Sequence, residues 1–298
     1  MNARLKPRAP CGGVVPRVEA VAARGEAVGA RGFSRAIAIA AALLVASCAP
    51  KLLKLPTGPV GPAPDARDAL TEATTACQKV TTLSAEIAVS GSARGSRLRA
   101  RLLTGVARPA SARIEAVAPF GAPLFIFVAR ANDATLLLPR DDRVLQHGRS
   151  DEVLEAVAGV PLDPIELRST LTGCAVAADV EGARQIGDDW RVLQDGPNHV
   201  YLRRDPHPAA WRLVATLHPS RVGRGEWRAE YRDFQDGLPR TIHLAAADRK
   251  QFDLTLALSQ VDINKPLGQD VFTVQIPRSA DPITLEELKD ARAGVRKD

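Results

Sequence analysis

The strongest constraint on this chain is a period of two. Leu83, Ala85, Ile87 and Val89 alternate with Ser84, Glu86 and Ala88. Leu98, Ala100 and Leu102 alternate with Arg97, Arg99 and Arg101, and Ile114, Ala116 and Ala118 with Arg113, Glu115 and Val117. Successive side chains of a strand point to opposite faces, so each run reads as a strand with one apolar face. Ser92 to Ser96 and Arg108-Pro109-Ala110 supply turns between them. Leu124 to Val128 (LFIFV) is apolar on both faces, and Ala134 to Leu138 is another strand. Strand patterns return after Gly173 and run to residue 261, with turns at Asp195-Gly196, Asp236-Gly237 and Asp248-Arg249-Lys250. Phe272 to Pro277 is a closing strand or extended segment.

Three stretches have a helical period instead. Asp65 can cap a helix to about Val80, with Ala69, Leu70, Ala73, Ala76, Cys77 and Val80 on one side. Asp151 to Val157 and Pro164 to Leu171 read as two short helices joined at Gly159-Val160-Pro161. No strand–helix–strand rhythm suggests a parallel sheet. The pattern predicts a mainly β domain over residues 65–278: three helices and one antiparallel sheet of roughly ten or eleven strands. A sheet of that size curls. Three short helices cover its apolar face loosely, so the expected architecture is an incomplete half-barrel with a helical lid over an apolar cavity. Aromatic residues are only 4% of the chain, so any such interior is aliphatic. Residues 279–298 read as a polar tail, with a short exposed helix from Thr284 to Arg292.

Ahead of the domain, Ala36 to Ala46 (AIAIAAALLVA) is an uncharged apolar run preceded by Arg31 and Arg35. It is too short to span a bilayer, which takes ~20 residues, and it fits the core of an export signal. Val45-Ala46-Ser47-Cys48 follows, and resembles the lipobox of bacterial lipoproteins. The resemblance implies a signal peptide over 1–47 and a diacylglycerol and N-acyl chain, palmitate for instance, on Cys48, with no other cofactor. Two or more acyl chains anchor a protein stably without spanning the membrane. Ala49 stands where an aspartate would signal inner-membrane retention, so the expected address is the periplasmic face of the outer membrane. Met1 is the sole methionine, and residues 1–30 are long and polar for a leader; translation is expected to start at a valine codon such as Val21 or Val28. Residues 48–64 carry Pro50, Pro56, Pro59, Pro62 and Pro64, and read as an extended tether.

The net charge of +6 invites a nucleic-acid reading, which its distribution removes. Seven of the 40 basic and two of the 34 acidic residues lie in the leader, leaving 33 against 32. A phosphate-binding surface needs its basic excess in the working domain. Cys77 and Cys174 would form a bridge in an oxidising compartment, or stay as two buried thiols. The five histidines form no metal-binding spacing, and Gly91-Ser92-Ala93-Arg94-Gly95 puts its serine one residue early for a nucleophile elbow. Asp141-Asp142 and Asp188-Asp189 sit in turns. No constellation supports an enzyme.

Three segments in order carry a more specific likeness. Ala112 to Ile126 (ARIEAVAPFGAPLFI), Asp151 to Gly173 (DEVLEAVAGVPLDPIELRSTLTG) and Trp227 to Leu244 (WRAEYRDFQDGLPRTIHL) resemble the strand–loop–strand, paired helices and later strand pair of the LolA/LolB-like family, closest to its LolB-type outer-membrane lipoprotein receptors. The segment from Asn264 to Pro277 departs from that pattern. The resemblance implies a monomeric half-barrel that holds lipoprotein acyl chains, receives them from a periplasmic LolA-like carrier and inserts them in the outer membrane. A structural or sensory lipoprotein reusing the fold is the alternative. Phe120, with Gly121 and Leu124, matches the loop that protrudes in the receptors; the other reading makes Phe120 a buried anchor. The acyl cavity is expected to be lined by Ile87, Val89, Leu98, Leu102, Ile114, Leu124, Ile126, Val128, Leu136 and Leu138, with Val153, Leu154, Val157, Leu167 and Leu171 from the lid. Arg97, Arg99 and Arg101 form a solvated face or a contact for lipid headgroups.

Overall fold

The computed structural model describes residues 51–175, 178–207, 209–220 and 225–294. The leader and Cys48 lie outside them. From Leu52 on, the chain is one compact unit. Its alternating runs become two antiparallel meanders. The first comprises β2 (Thr82–Ala93), β3 (Ser96–Ala107), β4 (Ser111–Val117), β5 (Phe125–Arg130), β6 (Asp133–Leu138) and β7 (Arg143–Arg149). The second comprises β8 (Ala178–Ile186), β9 (Trp190–Asp195), β10 (Asn198–Pro206), β11 (Ala209–His218), β12 (Trp227–Arg232), β13 (Thr241–Ala246) and β14 (Phe252–Ile263).

The last strand of the second meander pairs along the first strand of the other. Ile87 faces Leu258 and Val89 faces Leu256 across that seam. With β1 (Val60–Pro62) on β8 and β15 (Asp281–Pro282) on β7, fifteen strands form one open sheet with edges at β1 and β15. All pairs are antiparallel except β7–β15. The curled, unclosed sheet is the architecture expected from the alternation. The count exceeds ten or eleven because the hydrophobic pattern hides β7, whose sequence RVLQHGR is largely polar, and the two very short edge strands.

Four α-helices occur among the described residues, the three expected within the domain and the short one expected in the tail: α1 (Ala66–Gln78), α2 (Ser150–Ala158), α3 (Pro164–Thr172) and α4 (Leu285–Gly294). In α3, Asp163 accepts from the N–H groups of Ile165 and Glu166, and Glu166 reaches back to the Asp163 N–H, a capping box behind a first-turn proline. Asp65 behaves differently from the expected cap. Its side chain makes no cap bond. It instead takes a bidentate pair from Arg191 (2.6 and 2.9 Å), which holds its carboxyl below the usual range.

The inner face of the sheet is apolar by register: Ile87, Leu102 and Ala116 meet across neighbouring strands, as do Ile114, Phe127 and Leu136. Helix α1 packs on β11 and its neighbours, α3 on β3 and β4, and α2 on β5 to β7. The segments read as tether and tail take part in the unit at both ends. The Leu53 N–H donates to Glu230 Oε1 (2.7 Å), and Glu230 is buried between Arg228 and Arg232. Ile283 and Leu288 join the core cluster. Phe272 to Pro277 pairs with no strand; Phe272 ends a 3-10 helix (Gln269–Phe272) and residues 273–277 continue it as a strap over the outer face of β4 and β5, held by Arg113 through the carbonyls of Val271 and Thr273 (2.9 and 2.8 Å).

Candidate functional site

Between the inner face and the α2–α3 pair lies an apolar cavity of about 120 Å³. Its sheet wall is Ile87, Val89, Leu98, Ala100, Leu102, Ile114, Phe125, Leu244, Leu254 and Leu256; its roof is Leu154, Val157, Ala158, Val160, Leu162, Leu167 and Leu171. Thr104 is the one hydroxyl in the lining, and its Oγ1 has no partner among the described residues. Leu98, Ala100 and Leu102 point inward yet stay only partly buried. The reason is topological: β4 stops at Val117, opposite Arg101, so β3 continues past it without a neighbour on that side.

Nine of the residues expected from the sequence meet here: Ile87, Val89, Leu98, Leu102, Ile114, Leu154, Val157, Leu167 and Leu171. Six do not. Ile126 pairs with Glu115 and Val128 with Arg113, so both lie on the outer face, where Val128 is covered by the strap around Phe272. LFIFV is apolar on both faces, and its phase was legible only from a partner strand; the register puts Phe125 and Phe127 inward. Leu124 is 46% exposed, in the loop before β5. Leu136, Leu138 and Val153 are buried core residues away from the cavity, Val153 against Gly148 of β7. Missed altogether were Thr104, Ala158, Val160 and Leu162, and with them Ala100, Phe125, Leu244, Leu254 and Leu256. The last three alternate correctly in the sequence; only the β14–β2 seam brings them to this wall.

The roof is two short helices, each ended by a glycine in the left-handed region, Gly159 (φ 82°) and Gly173 (φ 61°), which a residue with a Cβ adopts at a penalty. Immediately after Gly173, Cys174 is bridged to Cys77 at the end of α1, with Cα atoms 5.6 Å apart. The bridge settles which of the two thiol states the chain adopts. Arg168 of α3 is 6% exposed, and its Nε and Nη1 find no partner among the described residues. Burial, aided by nearby Arg108, pulls its pKa down.

The loop between β4 and β5 projects from the end of the sheet where β3 overhangs. Phe120 is 88% exposed, which excludes the buried-anchor reading. Gly121 beside it is exposed as well. Arg140 fixes the loop's backbone by donating to the carbonyls of Phe120 (2.7 Å) and Ala122 (3.1 Å). The loop thus has a set shape and an uncovered aromatic tip.

A second opening, about 340 Å³, lies where α3 meets β9 to β12, and its lining mixes Glu166, Ser169, Asn198 and Thr216 with Ile165, Ala175 and Val200. Tyr231 borders it, its hydroxyl pushed up to about 12 by burial. That lining carries more polar groups than the cavity under α2 and α3, where Thr104 is the one hydroxyl. Among the described residues no cluster of His, Cys, Asp and Glu could hold a metal ion, and no helix is long and apolar enough to cross a membrane.

No family model matches this chain, and no curated protein matches it in sequence. Among solved structures it is similar to a LolA superfamily protein from Nitrosomonas europaea, at 12% identity over 70% of this chain and 97% of that one, TM-score 0.49. A DUF1329 family protein from Desulfovibrio piger is similar at 13% identity over 71% and 97%, TM-score 0.43. The lipoprotein LppX from Mycobacterium tuberculosis is similar at 12% identity over 69% and 98%, TM-score 0.30.

Proposed function

We propose that this chain is a lipid-anchored protein of the outer membrane's periplasmic face that takes acyl chains under the α2–α3 lid, and that it receives lipoproteins from a LolA-like carrier and inserts them in the membrane. The observation that carries the reading is the aliphatic cavity under a two-helix roof. Hydrocarbon is a favourable guest for a dry apolar space. At about 120 Å³ the half-open space under the lid is of the size that admits a benzene-like guest, so it takes up the length of a long chain only if the lid moves. Arg168 favours that movement. A buried guanidinium with unpaired N–H groups destabilises the closed lid relative to one fully satisfied. Phe120 supplies the apolar tip that a transfer step at a bilayer needs.

The test is binding of a fluorescent palmitate analogue and of an acylated peptide to the non-acylated chain. Micromolar binding is expected, and Ala100→Phe, which fills the cavity, should weaken it by roughly tenfold, the factor that 1.4 kcal/mol represents, with an unchanged urea midpoint. Phe120→Glu should leave analogue binding intact and slow lipoprotein insertion. No binding of either probe would leave a structural or sensory lipoprotein as the reading.

A further inference from the structure

The overhang of β3 puts two different faces on one rim. Its inward residues, Leu98 and Ala100, are cavity wall. Its outward residues are Arg97, Arg99 and Arg101, all exposed. Directly beside them the chain leaves β4 at Val117, the partner of Arg101, and enters the Phe120 loop pinned by Arg140. Arg101 pairs with Glu86 (2.9 Å). No carboxylate meets Arg97 or Arg99 among the described residues; across the β2–β3 pair they face Ser92 and Ser90. The nearest acid in that row is Asp253 opposite Ser92, which is already engaged by His243 and Arg249. A domain with nearly balanced charge thus gathers uncompensated cations next to its most exposed aromatic side chain.

We propose that Arg97 and Arg99 bind the phosphates of anionic phospholipids while Phe120 enters the apolar layer beneath them, so that the rim bearing the half-open cavity wall faces the bilayer. An apolar wedge combined with basic groups binds anionic bilayers through both area and charge. The inference rests on the proposed membrane role of the Phe120 loop and adds the lipid class and the orientation.

The chain from Ala49 on, which contains the whole folded unit and lacks the lipid anchor, is tested on phosphatidylcholine vesicles and on vesicles mixed with phosphatidylglycerol. Each arginine near an anionic surface contributes about fivefold in affinity, so Arg97→Gln/Arg99→Gln should bind the mixed vesicles about thirtyfold more weakly and lose the salt dependence. Binding of the palmitate analogue should be unchanged in that variant, which shows it folded and keeps the cavity reading separate. Phe120→Glu should weaken binding to both vesicle types. The proposal is overturned if wild type prefers neither vesicle, if the double variant binds the mixed vesicles as wild type does, or if the variant merely aggregates, which would make the arginines guards of an exposed strand edge. Absence of vesicle binding with intact analogue binding would also overturn it, in favour of an acidic protein surface as the partner.

Discussion

The two ends of the concave face are filled in different ways. Over β9 to β11, helix α1 lies against Leu193, Leu202, Leu213 and Trp211, which are almost wholly buried. Arg191 stacks over the Trp211 ring at 4.7 Å while gripping Asp65, and the Cys77–Cys174 bridge ties the helix end to the chain just after α3. Over β13, β14 and β2 to β5, helices α2 and α3 face leucines that leave space between them. The same sheet, with the same alternation, is filled beneath α1 at one end, where the second opening lies only beside α3, and encloses an aliphatic cavity at the other. The difference lies in what covers it: one thirteen-residue helix fixed by a covalent bond and an ion pair, against two nine-residue helices carrying an unsatisfied arginine.

That contrast can be broken most forcefully at the bridge. Cys77 and Cys174 are 97 residues apart, and closing so long a loop restricts the unfolded chain by an amount worth about 4 kcal/mol. Cys77→Ala/Cys174→Ala should lower stability by about that amount in urea unfolding. A loss below about 1 kcal/mol would mean that α1 is held by packing alone.

Truncation at matched leucines compares the two ends directly. Leu213→Ala removes a side chain from a filled site and should destabilise by about 3 kcal/mol. Leu98→Ala removes one that already borders open space and water, so about 1 kcal/mol is expected. Equal values in urea unfolding would show that the container is as tightly packed as the core.

The smallest effect concerns Asp65. Its folded pKa is depressed, so its pairing with Arg191 stabilises above the unfolded value of about 4 and fades as pH falls through the lower folded value. Since the carboxylate is partly exposed, Asp65→Asn should lower stability by under about 1 kcal/mol at neutral pH. The gap between the urea midpoints of wild type and variant should close on acidification. A gap that persists in acid would assign the effect to lost packing.

Local pattern was a good guide wherever one side of an element alone reveals its role. The helices at 66–78, 150–158 and 164–172 follow from their period, the last two also from their glycine stops and α3 from a capping box. The strands of the first meander follow from clean alternation. It failed at Ile126 and Val128, where both faces are apolar and the phase is set by β4, and at β7, where polar residues occupy a strand whose hydrogen bonds to β6 decide its state. It also could not show Asp65 turning from a helix cap to a cation 126 positions away.

By itself, the sequence determined a curled antiparallel sheet with an aliphatic inner face, because alternation and the near absence of aromatic residues act on each strand separately. Tertiary structure alone decided where the empty space lies. The seam between β14 and β2 brings Leu244, Leu254 and Leu256 opposite a lid from the middle of the chain, and the early end of β4 leaves the wall unfinished beside Phe120. Cavities are differences between the volume that elements enclose and the volume their side chains fill. That difference exists only once distant strands have been set side by side.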